Sequence, residues 1–125
     1  MTRVLIVDDQ PAFHRQLRRL LSLAGLEVVG EAADIPSAEG LVQSLQPDLA
    51  VVDIMLPGIN GLEGTRRLKR ISPYLRVFLV SAYTDQASLY TASAHEVGAE
   101  AFLAKDELDL DTVLAWKNPK PRYDL

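Results

Sequence analysis

The sequence contains no cysteine. That excludes a disulfide framework and thiolate metal sites, and it fits a reducing compartment. Long apolar runs are also missing at the start of the chain. MTRVLIVDD holds four consecutive apolar residues, too few for a signal peptide or a membrane span. A cytoplasmic location without membrane contact is therefore expected. Positive charge is in deficit as well: the net charge is −4 and the pI about 5.1, against the basic surface that direct nucleic-acid binding requires. What is present is ordinary for a globular chain. With 125 residues, 48% of them hydrophobic and 24% charged, it suits one domain around one core.

Apolar runs alternate with helical patterns. Strands are expected at Arg3–Asp8, Glu27–Ala32, Leu49–Asp53, Arg76–Ser81 and Glu100–Ala104, beginning about every 21 to 28 residues, the rhythm of repeated βα units. VLIV, LAVV and VFLV are apolar without alternation, as in strands covered on both faces of a parallel sheet. Between them the period changes. Phe13, Leu17, Leu20, Leu21 and Ala24 form one stripe at helical spacing after Pro11, with Gly25 as its stop. A second helix carries Ala38, Leu41, Val42 and Leu45, with Asp34 as its cap and Pro47 beyond it. A third is expected from Gly61 to Ile71, a fourth from Asp85 to Val97 before Gly98, and a short fifth from Leu108 to Trp116. The pattern is an α/β doubly wound fold with a five-stranded parallel sheet in the flavodoxin-like order 2-1-3-4-5 and a shortened last helix. Residues 1–116 form the domain, and residues 117–125, with two prolines, read as an extended tail or linker.

Ligands of such sheets bind at the carboxyl ends of the strands. Here those ends read Asp8-Asp9, Asp53, Ser81-Ala82 and Lys105. Adjacent strand residues face opposite ways, so Asp8 and Asp9 share a site only if the strand has ended by Asp9, as Gln10-Pro11 suggests. Three carboxylates repel one another, and with one ammonium they leave a net charge that Mg²⁺, a hard oxygen-seeking cation, balances. Metal and lysine together suit phosphoryl transfer.

Asp8-Asp9, VVDIMLPGINGLE around Asp53, Ser81-Ala82 and Lys105, in this order over residues 3 to 105, resemble the receiver domain of two-component response regulators, the CheY-like fold. GAEAFLAKD and DDQPAFHRQLRRLL resemble the NarL/LuxR-type subclass. The resemblance implies that Asp53 is the phosphoacceptor for a sensor histidine kinase or phosphotransfer protein. It implies Mg²⁺ held by Asp9, Asp53 and the Met55 carbonyl, with Asp8 acting through water. Lys105 would pair with the phosphoryl oxygens, the Ser81 hydroxyl would bond them, and Phe102 would follow Ser81 as a switch. Met55 and Tyr83 would tune dephosphorylation. Such a chain is a signalling switch that catalyses only its own phosphorylation and dephosphorylation. A homodimer is compatible with the resemblance, and the output partner is not specified by it.

The chain also departs from the family pattern. Asp106 follows Lys105 where the family commonly has a proline after a cis bond, which at a non-proline costs about 2.5–4 kcal/mol. RQLRR and RRLKR lack interleaved aromatics and read as solvated helix faces, although Arg15, Arg18 and Arg19 border the site and suit kinase docking. His14 and His95 have no metal-ligand partners at sensible spacing. An aspartyl phosphatase would need D-x-D where Asp8-Asp9-Gln10 stands, and flavin binding would need a hydroxyl-rich loop there. Twenty residues follow Lys105, too few for a helix-turn-helix, so a stand-alone receiver or a fragment is expected. The alternative function is a degenerate receiver that binds partners without phosphorylation.

Overall fold

The computed structural model describes residues 1–119. Its elements are β1 (Arg3–Val7), α1 (Pro11–Leu23), β2 (Glu27–Ala32), α2 (Ile35–Leu45), β3 (Leu49–Asp53), α3 (Gly61–Ile71), β4 (Arg76–Ser81), α4 (Ala87–Glu96), β5 (Ala101–Ala104), a 3-10 turn at Lys105–Glu107 and α5 (Leu110–Ala115). All five strands pair in parallel in the order β2-β1-β3-β4-β5, as the sequence predicts. Among the described residues, no helix is long and apolar enough to cross a membrane.

The two-residue period of the central strands builds two cores. Val4, Ile6, Leu49, Val51, Phe78 and Val80 pack with Phe13, Leu17 and Leu21 of α1 and with Val113 and Trp116. Leu5, Val7, Ala50, Val52, Val77 and Leu79 pack with Ile35, Ala38 and Val42 of α2, Leu68 of α3 and Ala94 of α4. One face of the sheet thus carries α1 and α5, the other α2, α3 and α4. Burying each of these large aliphatic side chains contributes about 1.5–3 kcal/mol, which is why strands apolar on both faces fold only as the centre of a three-layer domain.

Local chemistry sets the helix ends. Pro11 opens α1, where a missing N–H costs nothing, and Gly25 follows it at φ +82°. Asp34, Asn60 and Asp109 cap α2, α3 and α5 by accepting from the amides of Ser37, Glu63 and Thr112. The same bonds hold the Asp34 and Asp109 carboxyls below their ordinary range.

Several boundaries differ from expectation. β1 ends at Val7, so Asp8 lies just past the strand, although its amide still donates to the Ala32 carbonyl. β5 begins at Ala101, with Glu100 turned to Arg76 at 2.7 Å. α4 begins at Ala87 rather than Asp85, behind Gln86, whose side chain makes no cap bond. α5 starts at Leu110 because Asp109, not a residue before Leu108, supplies the cap. The Lys117 and Asn118 amides donate to the Leu114 and Ala115 carbonyls, so the expected extended tail begins as a hydrogen-bonded turn. The rest of that tail, residues 120–125, lies outside the described residues. The Lys105–Asp106 bond is trans, like every peptide bond among the described residues.

Candidate functional site

The strand order puts the crossover between β1 and β3, and the carboxyl ends of those two strands carry the charge. Because side chains alternate along a strand, Asp8 continues the parity of Val4 and Ile6, Asp53 that of Leu49 and Val51, and Lys105 that of Ala101 and Leu103. All three therefore belong to the face covered by α1. Asp9, past the end of β1, is released from the alternation. Carboxylate oxygens of Asp8, Asp9 and Asp53 lie within 4.8 Å of one another. Asp8 is 1% exposed and Asp53 4%, whereas Asp9 faces solvent.

Each buried carboxylate has one oxygen fixed by its own turn. The Gln10 amide donates to Asp8 Oδ1 at 2.8 Å, and the Met55 amide donates to Asp53 Oδ1 at 2.9 Å. The other oxygens face Lys105. Its Nζ donates to Asp53 Oδ2 at 3.1 Å and stands 2.7 Å from Asp8 Oδ2. The second contact is an ion pair whose angles miss hydrogen-bonding geometry, so Asp8 Oδ2 is a buried oxygen with a charge beside it and no hydrogen bond. Burial pushes the Asp53 carboxyl above its ordinary range. The Met55 amide and Lys105 pull it back, by less, and the Asp8 carboxylate adds to the rise.

This donor set suits a hard divalent cation. It consists of carboxylate oxygens alone, one oxygen is buried without a hydrogen bond, and one carboxylate is open to water. Nothing in the set favours a soft metal, which would call for sulfur or imidazole.

Ser81 is fully buried at the end of β4, its Oγ accepting from the Tyr83 amide at 3.0 Å. It continues the parity of Val77 and Leu79, so it belongs to the face opposite Lys105. Phe102 packs against that same core and meets the Tyr90 ring at 5.4 Å between centroids. Met55 and Tyr83 are exposed, the former two residues past Asp53 and the latter two past Ser81. The structure thus brings Asp8, Asp9, Asp53 and Lys105 together, with Met55 present through its amide. Ser81 and Phe102 sit on the other side of the sheet's end.

Three contributors escape a reading of sequence alone. His14 turns back so that its Nε2 hydrogen-bonds the Asp8 carbonyl, while its Nδ1 faces Glu31 at 3.4 Å and Arg18 pairs with the same Glu31 at 3.2 Å. Gln10 Oε1 lies 3.4 Å from Lys105 Nζ, and the ammonium sits 4.3 Å from the centre of the Phe13 ring. In the sequence Phe13 is one member of an apolar stripe, His14 its neighbour and Gln10 a mark of the strand's end, and their partners are brought near by the fold. Beside the carboxylates, Asp8, Asp9, His14, Arg15, Arg18 and Glu31 line a shallow cleft of about 310 Å³. A wider hollow of about 1280 Å³, lined by Met1, Tyr74 and Lys117, holds none of the acidic cluster and has no chemistry of this kind.

Residues 4–115 match the family described as the response regulator receiver domain. The chain is 39% identical over 109 residues to a protein-glutamate methylesterase/protein-glutamine glutaminase of Dechloromonas aromatica, covering 86% of this chain and 31% of that protein. It is 37% identical over 114 residues to the Probable transcriptional regulatory protein NarL of Mycobacterium tuberculosis, covering 90% of this chain and 52% of that one. It therefore spans between about a third and a half of the length of these curated relatives. The solved signal receiver domain of NarL from Mycobacterium tuberculosis superposes with a TM-score of 0.81 at 33% identity, covering 93% of this chain and 92% of that one.

Proposed function

Since the chain belongs to the response regulator receiver domains of two-component systems, we propose that it accepts a phosphoryl group on Asp53 from a sensor histidine kinase or phosphotransfer protein and changes conformation to control an output partner. The observation that carries this reading is the buried Asp53 carboxylate, held by the Met55 amide on one oxygen and by Lys105 on the other, with Asp8 and Asp9 oxygens within 4.8 Å.

In this reading an oxygen of ionised Asp53 attacks the phosphorus of a phosphohistidine. The new P–O bond forms as the P–N bond breaks, and the electron pair leaves with the imidazole nitrogen. Lys105, already at Asp53 Oδ2, donates to the oxygens of the incoming group. The Ser81 hydroxyl uses its oxygen on the Tyr83 amide, which leaves its hydrogen to donate to the phosphoryl group. Phe102 then follows Ser81, which biases one of two arrangements of the β4–β5 edge. Exposed Met55 and Tyr83 set how readily water reaches the acyl phosphate. Asp9, Asp53 and the Met55 carbonyl would hold Mg²⁺ directly and Asp8 through water. When bound, the ion offsets the charge of the carboxylates and of the transferring group.

The test is direct. Incubation with Mg²⁺ and acetyl phosphate, followed by intact-mass measurement, is expected to give one labile phosphoryl adduct that Asp53→Ala lacks. No adduct with small donors and none with any kinase tried would leave the chain a binding module instead.

A further inference from the structure

Strand parity sets the face on which Lys105 leaves the sheet, and contacts from other elements hold its ammonium in the site. Past β5 the backbone turns at once into the 3-10 turn Lys105–Glu107, and the Lys105–Asp106 bond is trans. The direction of this long, four-carbon side chain is therefore not imposed by the backbone that follows it. The polar partners of its ammonium are Asp8 Oδ2 at 2.7 Å, Asp53 Oδ2 at 3.1 Å and Gln10 Oε1 at 3.4 Å. The ammonium also lies over the face of Phe13, 4.3 Å from ring centre to Nζ. The lysine side chain is only 10% exposed, so little water competes for the charge there.

Phe13 is well placed for this work. It is 7% exposed and packed in the same core as Val4, Ile6, Leu17 and Val51. Its amide bonds back to the Gln10 carbonyl in the first turn of α1. A ring packed in that way presents its negative face to the rim, and a largely desolvated ammonium over it is attracted by the ring quadrupole.

We infer that Phe13 is a positioning residue for phosphoryl acceptance: its ring face holds the Lys105 ammonium at the rim, ready for the phosphoryl oxygens, where an aliphatic residue of similar size would not. Holding the donor in place before reaction removes a reorganisation step, which is where fixed charges gain their effect. The inference rests on Asp53 being the acceptor. It adds a residue that acts through Lys105 and touches no phosphoryl group itself.

Replacing Phe13 with mono-, di- and trifluorinated phenylalanine keeps ring shape and core packing while draining the ring's negative face. Autophosphorylation by acetyl phosphate is expected to slow stepwise along the series. Phe13→Leu, which has no ring, should fall by roughly 2- to 30-fold, the rate equivalent of one cation–π contact. Thermal unfolding of the fluorinated set should hardly move. By NMR, the Lys105 Cε protons should show an upfield ring-current shift that Phe13→Leu loses. Equal rates along the fluorinated series, or an unshifted Lys105 Cε in the wild type, overturn the role of Phe13 while leaving Asp53 as acceptor. A wild type that takes up no phosphoryl group overturns both readings.

Discussion

Gly61 lies against the carbonyl of Asp53. A β-carbon at position 61 would collide with that carbonyl oxygen and come within 2.8 Å of the carbonyl carbon and of Ile54 Cα, while the Gly61 amide donates to the Ile54 carbonyl at 2.9 Å. The start of α3 is thereby docked on the backbone that carries Asp53. Gly64, one turn on, would instead meet the Ile35 side chain, and no backbone atom outside its own helix comes as close. Gly61→Ala is expected to destabilise the fold by about 1–3 kcal/mol and to slow phosphorylation by moving Asp53, and Gly64→Ala to cost less. Urea unfolding of both variants checks the order. Equal costs would mean that the β3–α3 loop yields freely.

Asp53→Asn is expected to stabilise the metal-free protein at neutral pH. Burial makes the folded chain hold the Asp53 proton more tightly than the unfolded chain does. The folded pKa is thus above the unfolded one. The stabilisation is fully present below the unfolded value, near pH 4, and is lost as pH rises through the folded value. Wild-type stability relative to the Asn variant should therefore fall with rising pH across that window and then level off. Unfolding free energies measured at several pH values check this, and a difference that rises with pH would mean Lys105 outweighs burial. Phosphoryl acceptance should fade as pH drops through the same raised pKa, since the protonated carboxyl is no nucleophile.

Mg²⁺ is expected to raise the melting temperature, by the equivalent of about 2.7 kcal/mol at a hundred times its Kd. Asp9→Ala separates binding from folding. Asp9 is exposed and buries no charge, so the metal-free variant should unfold within about 0.5 kcal/mol of the wild type. Its Mg²⁺-dependent gain should vanish. A calorimetric scan with and without the ion decides, and an undiminished gain in the variant would remove Asp9 from the ligand set.

Arg76 ties the other end of the sheet to the last helix. Its guanidinium makes a two-pronged pair with Glu100 at 2.7 and 3.2 Å, donates to the Trp116 carbonyl at 2.7 Å and lies over Phe78, which stacks on Trp116 at 4.5 Å. With only six residues in α5, this anchor replaces the packing of a longer helix. Arg76→Ala is expected to cost about 1–3 kcal/mol, less than a fully buried pair. Trp116, the single tryptophan, should report it as a shifted and more quenchable fluorescence. Unchanged emission would show that the Phe78 stack alone holds the helix.

The architecture was legible because VLIV, LAVV and VFLV are short, β-branched apolar runs between helical patterns, as strands buried on both sides are, and because Gly25 and Gly98 stand where helices stop, at φ +82° and +87°. The convergence of Asp8, Asp9, Asp53 and Lys105 was legible because strand ends of a parallel sheet share one rim. Boundaries set by side-chain competition were not. Asp109 rather than an earlier residue caps α5, and β5 begins one residue after Glu100, whose side chain pairs with Arg76. Neither were contacts across long separations. Phe13 reads as one more member of an apolar stripe, and nothing in the chain says that Lys105, ninety-odd residues on, ends above its ring. His14 lacks a neighbour in sequence and finds Glu31 only through the β1–β2 pairing.

The alternation of side chains along the strands has a spatial consequence. Asp8, Asp53 and Lys105 open on the layer of α1 and α5, whereas Ser81 and Phe102 look toward the layer of α2, α3 and α4. In the proposed reading the Ser81 hydroxyl meets the phosphoryl group at the carboxyl rim of the sheet, so charge that arrives from one layer is handed at that rim to side chains packed in the other. In that reading Ser81 joins the two layers, and Phe102 can be altered without changing the acidic cluster.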